Sequence, residues 1–151
     1  MHLRCITGRA KNRHSIFGTF TLHYNGSRDL IMSKTILIVE DYEDSRMMMK
    51  AMLQMYGYGV LEAVDGREAI ELAKEHHPEL IFMDLAMPEI DGITATEEIR
   101  SFDGFAETPI IALTAYGDLR GKEAIEAGCD EVIAKPMNFE RLQPLLEKYL
   151  A

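Results

Sequence analysis

The chain has 151 residues, 47% of them hydrophobic, with 16 Lys and Arg against 25 Asp and Glu, a formal charge of −9. That length suits one domain with a real core, and the acidic balance excludes nucleic acid or an anionic membrane surface as the main partner, since phosphate binding needs clustered Lys and Arg. No apolar run approaches the roughly 20 residues of a membrane span, and Cys5 and Cys129 fit neither a metal spacing nor a disulfide framework, so a reducing cytoplasm is the expected setting.

Charge is unevenly distributed. Residues 1–32 hold Arg4, Arg9, Lys11, Arg13 and Arg28 against Asp29, a net +4, which leaves −13 for residues 33–151. Within this basic stretch Phe20, Leu22 and Tyr24 alternate with Thr21 and His23 before Asn25-Gly26, a weak strand-and-turn signal. The plain reading is a poorly ordered extension ahead of a second methionine, Met32; the functional reading is a basic arm or targeting segment.

From Ser33 the pattern becomes regular. Thr35–Val39 (TILIV) is an apolar, β-branched run without alternation, as expected of a strand buried on both faces. Asp44 or Ser45 is the expected cap of a first helix, with Met48, Met52 and Met55 as its apolar stripe and Met47 and Met49 more exposed. Such flexible side chains suit adaptable binding surfaces. Gly59–Ala63 reads as a second strand. Asp65 caps a second helix with the stripe Ala69, Leu72, Ala73, which ends at His76 and His77 before Pro78.

Leu80–Asp84 is the third strand, and Asp91-Gly92 opens a helix to about Arg100. Pro109–Leu113 is the fourth strand, Leu119–Ala127 the fourth helix, Glu131–Ala134 the fifth strand, and a last helix capped by Asn138 runs to Tyr149. Gly121 inside the fourth helix costs it about 1 kcal/mol relative to Ala, read either as a harmless exposed glycine or as a helix kept loose. Pro144 either lies in the first turn of a helix starting near Gln143 or kinks a longer one. Five short apolar strands alternating strictly with five helices predict a doubly wound α/β fold with a parallel sheet. Residues 33–151 form one domain in this reading, with no output domain expected after the last helix.

Ligands of such sheets bind beyond the carboxyl ends of the strands. There the first strand delivers Glu40 and Asp41, the third Asp84, the fourth Thr114 and the fifth Lys135, ahead of Pro136. Singly, each is an ordinary cap, turn or loop residue; jointly they are hard to explain that way. Carboxylates this close repel and must retain protons or hold a cation. Oxygen donors without His or Cys select Mg²⁺ or Ca²⁺, and a site with open positions suits Mg²⁺. A carboxylate can also act as a nucleophile and form an aspartyl phosphate, whose charge Lys135 and Thr114 would complement.

The segments ILIVEDYEDSR (36–46), LIFMDLAMPEIDG (80–92), IALTA (111–115) and AGCDEVIAKP (127–136) resemble the receiver domain of two-component response regulators, over nearly the whole chain after Ser33. The resemblance implies a five-stranded sheet of order 2-1-3-4-5. It implies Asp84 as phospho-acceptor, Glu40 and Asp41 as the Mg²⁺-binding acidic pair, and Ala86 as the backbone carbonyl ligand. Thr114 matches the switch hydroxyl and Lys135 the lysine that pairs with the phosphoryl group, its bond to Pro136 being cis.

Implied partners are a histidine kinase or histidine phosphotransfer protein, met in part through the first helix, and a downstream protein read by the helix 4–strand 5–helix 5 face. Monomers or phosphorylation-dependent dimers are both compatible. Phosphorylation and dephosphorylation would be self-catalysed, without turnover of an independent substrate. One departure stands out: the family often has an aromatic ring three residues before the lysine, and here the residue is Val132, which has no ring to swing. Two rival readings are a binding module that no longer uses phosphate and a small Mg²⁺-dependent phosphatase; the latter usually needs a second Asp where this chain has Ala86.

Overall fold

A computed structural model describes residues 33–115 and 118–151. Cys5, the strand reading at residues 20–24 and the whole 1–32 extension lie outside the described residues. The elements are β1 (Thr35–Val39), α1 (Glu43–Met55), β2 (Gly59–Ala63), α2 (Gly66–His76), β3 (Leu80–Asp84), α3 (Gly92–Ser101), β4 (Ile110–Thr114), α4 (Asp118–Ala127), β5 (Glu131–Ala134) and α5 (Phe139–Leu150). All four strand pairings are parallel, in the order β2-β1-β3-β4-β5. Among the described residues no helix is long and apolar enough to cross a membrane.

The lack of alternation in the strands follows from burial on both faces. Ile36 and Ile38 of β1, with Leu80 and Phe82 of β3, pack under α1 and α5 against Met52, Leu53, Leu142 and Leu146. Leu37, Val39, Ile81 and Met83 point the other way, onto Ala69 and Ala73 of α2, Ala95 and Ile99 of α3, and Ala124 of α4. β4 begins one residue later than expected, at Ile110. Pro109 has no N–H to give a ladder, although its carbonyl accepts from Ile81 N at 2.9 Å.

Three caps are as expected: Asp65 accepts from Glu68 N, Asp91 from Thr94 N and Asn138 from Arg141 N. The cap of α1 is not. Its N-cap is Tyr42, with no side-chain hydrogen bond, and Glu43 and Asp44 form the acidic first turn. The Glu40 carboxylate takes the Tyr42 N–H at 3.1 Å and turns the chain into the helix earlier than Asp44 or Ser45 could, while the two acids complement the helix dipole.

The apolar phase of α1 is also corrected: Met49, Met52 and Leu53 are buried, whereas Met48 and Met55 are 46% and 77% exposed. Methionine at 47, 48, 49, 52 and 55 makes the helix apolar nearly all round, so the i, i+4, i+7 stripe cannot set the phase. Leu53, outside that stripe, does. The last helix starts at Phe139 and passes through Pro144, which excludes a start near Gln143. Gly121 is no exposed glycine either; a Cβ there would lie 3.4 Å from Val132 Cγ1. His77 takes a left-handed C-cap conformation and stacks on Phe105, with centroids 5.0 Å apart.

Two devices tie the loops to the sheet. Arg100, at the end of α3, donates to the carbonyls of Phe105, Thr108 and Gly128 and pairs with Asp130 at 2.9 Å. Asp130 also accepts from Ile110 N at 2.8 Å. Gly92 seats the start of α3 directly behind Asp84: a Cβ would lie 2.9 Å from the Asp84 carbonyl carbon.

Two stability predictions follow from this packing. Met49→Ala should cost about 2–5 kcal/mol and Met48→Ala no more than about 0.5 kcal/mol in urea denaturation; equal losses would refute the α1 phase. Gly92→Ala should cost about 1–3 kcal/mol through overpacking, read as a drop in thermal midpoint, and an unchanged midpoint would show that the close approach is relaxed.

Candidate functional site

The ends of four adjacent strands meet at one edge. β1 runs into Glu40 and Asp41, β3 ends at Asp84, β4 ends at Thr114, and Lys135 follows β5. A backbone hydrogen bond from Lys135 N to Thr114 O, 2.8 Å long, fixes the lysine beside β4. The Lys135-Pro136 bond is cis.

Glu40 is held from several sides. Its N–H donates to Ala63 O at 3.1 Å, and its carbonyl accepts from Arg46 at 3.0 Å. Arg46 in turn faces Glu62 at 3.4 Å. The Glu40 side chain is 1% exposed. One carboxylate oxygen takes the Tyr42 N–H; the other, Oε2, is buried without a directed hydrogen bond, although Lys135 Nζ stands 2.6 Å away. Lys135 Nζ also reaches Asp84 Oδ2 at 3.0 Å. Asp84 is buried, and its Oδ1 accepts from Ala86 N at 3.0 Å.

Burial pushes the Glu40 carboxyl above its ordinary range, against the opposing pull of Lys135 and the Tyr42 N–H, while the neighbouring Asp84 charge adds to the rise. Burial alone would lower Lys135, but Glu40 and Asp84 outweigh it and hold the ammonium above its ordinary value. One ammonium therefore serves two buried carboxylates.

Carboxylate oxygens of Glu40, Asp41 and Asp84 all lie within 4.8 Å of one another, with Asp41 exposed. The donor set is oxygen only and carries more negative charge than Lys135 balances. Its buried Glu40 Oε2 lacks a directed partner, and Asp41 opens it to water. These features fit a hard divalent cation that keeps part of its hydration shell, as Mg²⁺ does. Ala86, the remaining expected ligand position, is exposed directly beyond β3.

All six expected site residues thus lie at one sheet edge. Val132 lies on β5 against Gly121 of α4, where Thr114, Ile125 and Ala134 complete a groove of about 560 Å³. Tyr116 lies outside the described residues. Arg46 and the Arg120–Asp91 ion pair, 2.7 Å long, escape sequence reasoning. Arg46 lies within the resembling segment but declares no role there, and no local pattern links positions 29 residues apart.

Comparison with known proteins agrees with this geometry. The family model "Response regulator receiver domain" matches residues 36–147. The polar-differentiation response regulator DivK of Brucella ovis is 34% identical over 120 residues, covering 79% of this chain and 98% of DivK. The receiver domain of sensor histidine kinase PA1611 from Pseudomonas aeruginosa, solved with magnesium in its active-site cleft, superimposes with a TM-score of 0.73 at 36% identity, covering 78% of this chain and 97% of that one. The receiver domain of Ssk1, solved in complex with the histidine phosphotransfer protein Ypd1 of Saccharomyces cerevisiae, gives 0.71 at 29% identity, covering 78% and 88%. With its five-stranded parallel sheet and its acids, threonine and lysine at one edge, the chain belongs to the response regulator receiver family, whose members are signalling proteins of two-component systems.

Proposed function

We propose that this receiver accepts a phosphoryl group from a partner's phosphohistidine onto Asp84 and signals through protein–protein contacts. The observation that carries this reading is Lys135 Nζ between buried Glu40 and buried Asp84, at 2.6 and 3.0 Å, beside exposed Asp41.

An Asp84 carboxylate oxygen attacks phosphorus and forms the O–P bond. The P–N bond to the donor imidazole breaks, its electron pair stays on nitrogen, and that nitrogen takes a proton from solvent. Lys135 leaves part of its contact with Asp84 and neutralises a phosphoryl oxygen; the Thr114 hydroxyl donates to another. Glu40, Asp41, Asp84 and the Ala86 carbonyl would hold Mg²⁺, which when bound offsets the negative charge gathered on the transferring group. The same edge would admit water to the aspartyl phosphate and allow slow self-dephosphorylation, without turnover of a separate substrate. Val132 has no ring to follow Thr114, so the shift is carried by α4, and the α4–β5–α5 face is what a downstream protein reads.

The phosphohistidine-bearing partner docks beside the site. Tyr42 is 62% exposed and Met48 46%. Met48 also lines a notch of about 70 Å³ with Ser45, Pro136 and Met137, next to Glu40 and Lys135. The Ssk1–Ypd1 complex supports a phosphotransfer protein as this kind of partner. Both partners are placed in the cytoplasm in this reading, and the phosphorylated form is a monomer or a dimer.

Incubated with acetyl phosphate and Mg²⁺, the wild-type chain should label at Asp84, and Asp84→Asn or EDTA should abolish labelling while the far-ultraviolet circular dichroism stays native. A wild type that never labels, or a mutant that still labels at the same peptide, would sink the reading. Met48→Glu should slow transfer from a phosphohistidine protein at least about tenfold more than it slows acetyl phosphate labelling, as expected when a charge is buried in an apolar contact. Equal slowing of the two donors would remove Met48 from the docking surface.

A further inference from the structure

The helix that follows Thr114 is anchored unevenly. At its C-terminal end, Gly128 takes φ +112°, its carbonyl accepts from Arg100 at 2.9 Å, and Cys129 beyond it is buried. Along the body of α4, Ala124 is the one buried residue among the described side chains. Gly121 lies against Val132 beside the groove of about 560 Å³. At the N-terminal end Arg120 pairs with Asp91 at 2.7 Å. Among the described residues this is the ion pair that ties α4 to another element; Lys122–Glu126 lies within the helix.

Asp91 is held through both carboxylate oxygens. One oxygen caps α3 by accepting from Thr94 N at 2.9 Å, the other receives Arg120, and Gly92 seats the same turn against the Asp84 carbonyl. Burial works against the Asp91 charge, yet the Thr94 N–H and the Arg120 guanidinium hold its carboxyl below the ordinary carboxylate range. One end of the ion pair is therefore fixed behind the acceptor. The other rides on the first turn of α4, which begins four residues after Thr114.

We infer that the Arg120–Asp91 ion pair is a latch that holds the first turn of α4 in the unphosphorylated arrangement, so that both residues set how readily Asp84 takes a phosphoryl group without touching it. The inference rests on Asp84 being the acceptor. When Thr114 is drawn toward a phosphoryl group, the start of α4 follows, while Asp91 stays with α3. The pair opens, and α4 pivots about its Arg100-pinned end. The groove beside Val132 and Gly121 leaves the space for that pivot. A ligand shifts such an equilibrium only by its differential interaction with the two arrangements, and an ion pair present in one of them opposes the shift.

The test is calorimetric titration of the full chain with beryllofluoride in saturating Mg²⁺, beryllofluoride standing in for the phosphoryl group. Arg120→Gln and Asp91→Asn should each tighten binding by about two- to fivefold, the range of a partly exposed ion pair, and the double variant should bind no tighter than the better single. Asn keeps the α3 cap, so Asp91→Asn removes the charge and not the helix start. A through-space charge effect would move the two variants in opposite directions, because one removes a cation and the other an anion; the latch moves both the same way. Opposite shifts, or no shift beside a wild type that binds, overturn the latch alone. A wild type that binds no beryllofluoride overturns the acceptor reading and the latch with it.

Discussion

Lys135 stands between two carboxylates that water scarcely reaches, and the rest of the site is arranged around that contact. Desolvating Glu40 and Asp84 is expensive, and one ammonium at 2.6 and 3.0 Å offsets it only in part. The remainder is met by the Tyr42 and Ala86 N–H groups, each accepted by one carboxylate oxygen. Neither donor is incidental. The Tyr42 N–H is available because the chain turns into α1 at once, and the Ala86 N–H because β3 stops at Asp84. Remove the lysine and two buried anions face each other, with Asp41 close by. The same excess charge that makes the cluster costly in isolation makes it a good seat for a divalent cation and, with the lysine, for a phosphoryl group.

Such a cluster can be built only where several strands end together, and the parallel sheet does this with little specialised sequence. Register pairs Asp84 with Leu113 and Thr114 with Ala134, so residues 29 and 20 positions apart arrive side by side. Burial on both sheet faces then fixes register, since a one-residue slip would send Ile36 and Ile38 to the wrong helices. Arg46 adds a further constraint by joining the Glu40 carbonyl to the Glu62 carboxylate on the edge strand. The acids are held by the backbone they follow, more than by one another.

What could be read in advance divides along physical lines. Strand runs, the caps Asp65, Asp91 and Asn138, and the residues gathered at the strand ends were legible because each depends on local chemistry or on a periodicity of two or three positions. The α1 phase was not, because methionine at five positions makes the helix apolar over most of its circumference and only the packing of Leu53 decides the phase. The α1 start escaped because the chain is turned at Tyr42 by a carboxylate two residues upstream, already occupied with the site. Gly121 looked like a helix defect; its meaning lies with Val132, eleven residues on, through contact across two elements. Arg120 and Asp91 are invisible for the same reason: each has an ordinary local explanation, and their pairing exists only in three dimensions.

The distribution of burial among the helices bears on which of them can move. α5 buries Leu142, Leu145, Leu146 and Leu150, each contributing about 1.5–3 kcal/mol, and it continues through Pro144 despite the hydrogen bond that proline forgoes. α1 buries two methionines and a leucine. The described part of α4 buries a single alanine, worth a fraction of one leucine. Among the described side chains α4 therefore has less apolar anchorage than α5, and low local stability is where a switching element has to be drawn from. Beside that alanine, a partly exposed ion pair of a few tenths to about 1 kcal/mol is a comparable contribution. In a core-anchored helix the same pair would be negligible. Beside the one alanine buried among the described side chains of α4, the Arg120–Asp91 pair is of a size to bias the equilibrium we infer for that helix.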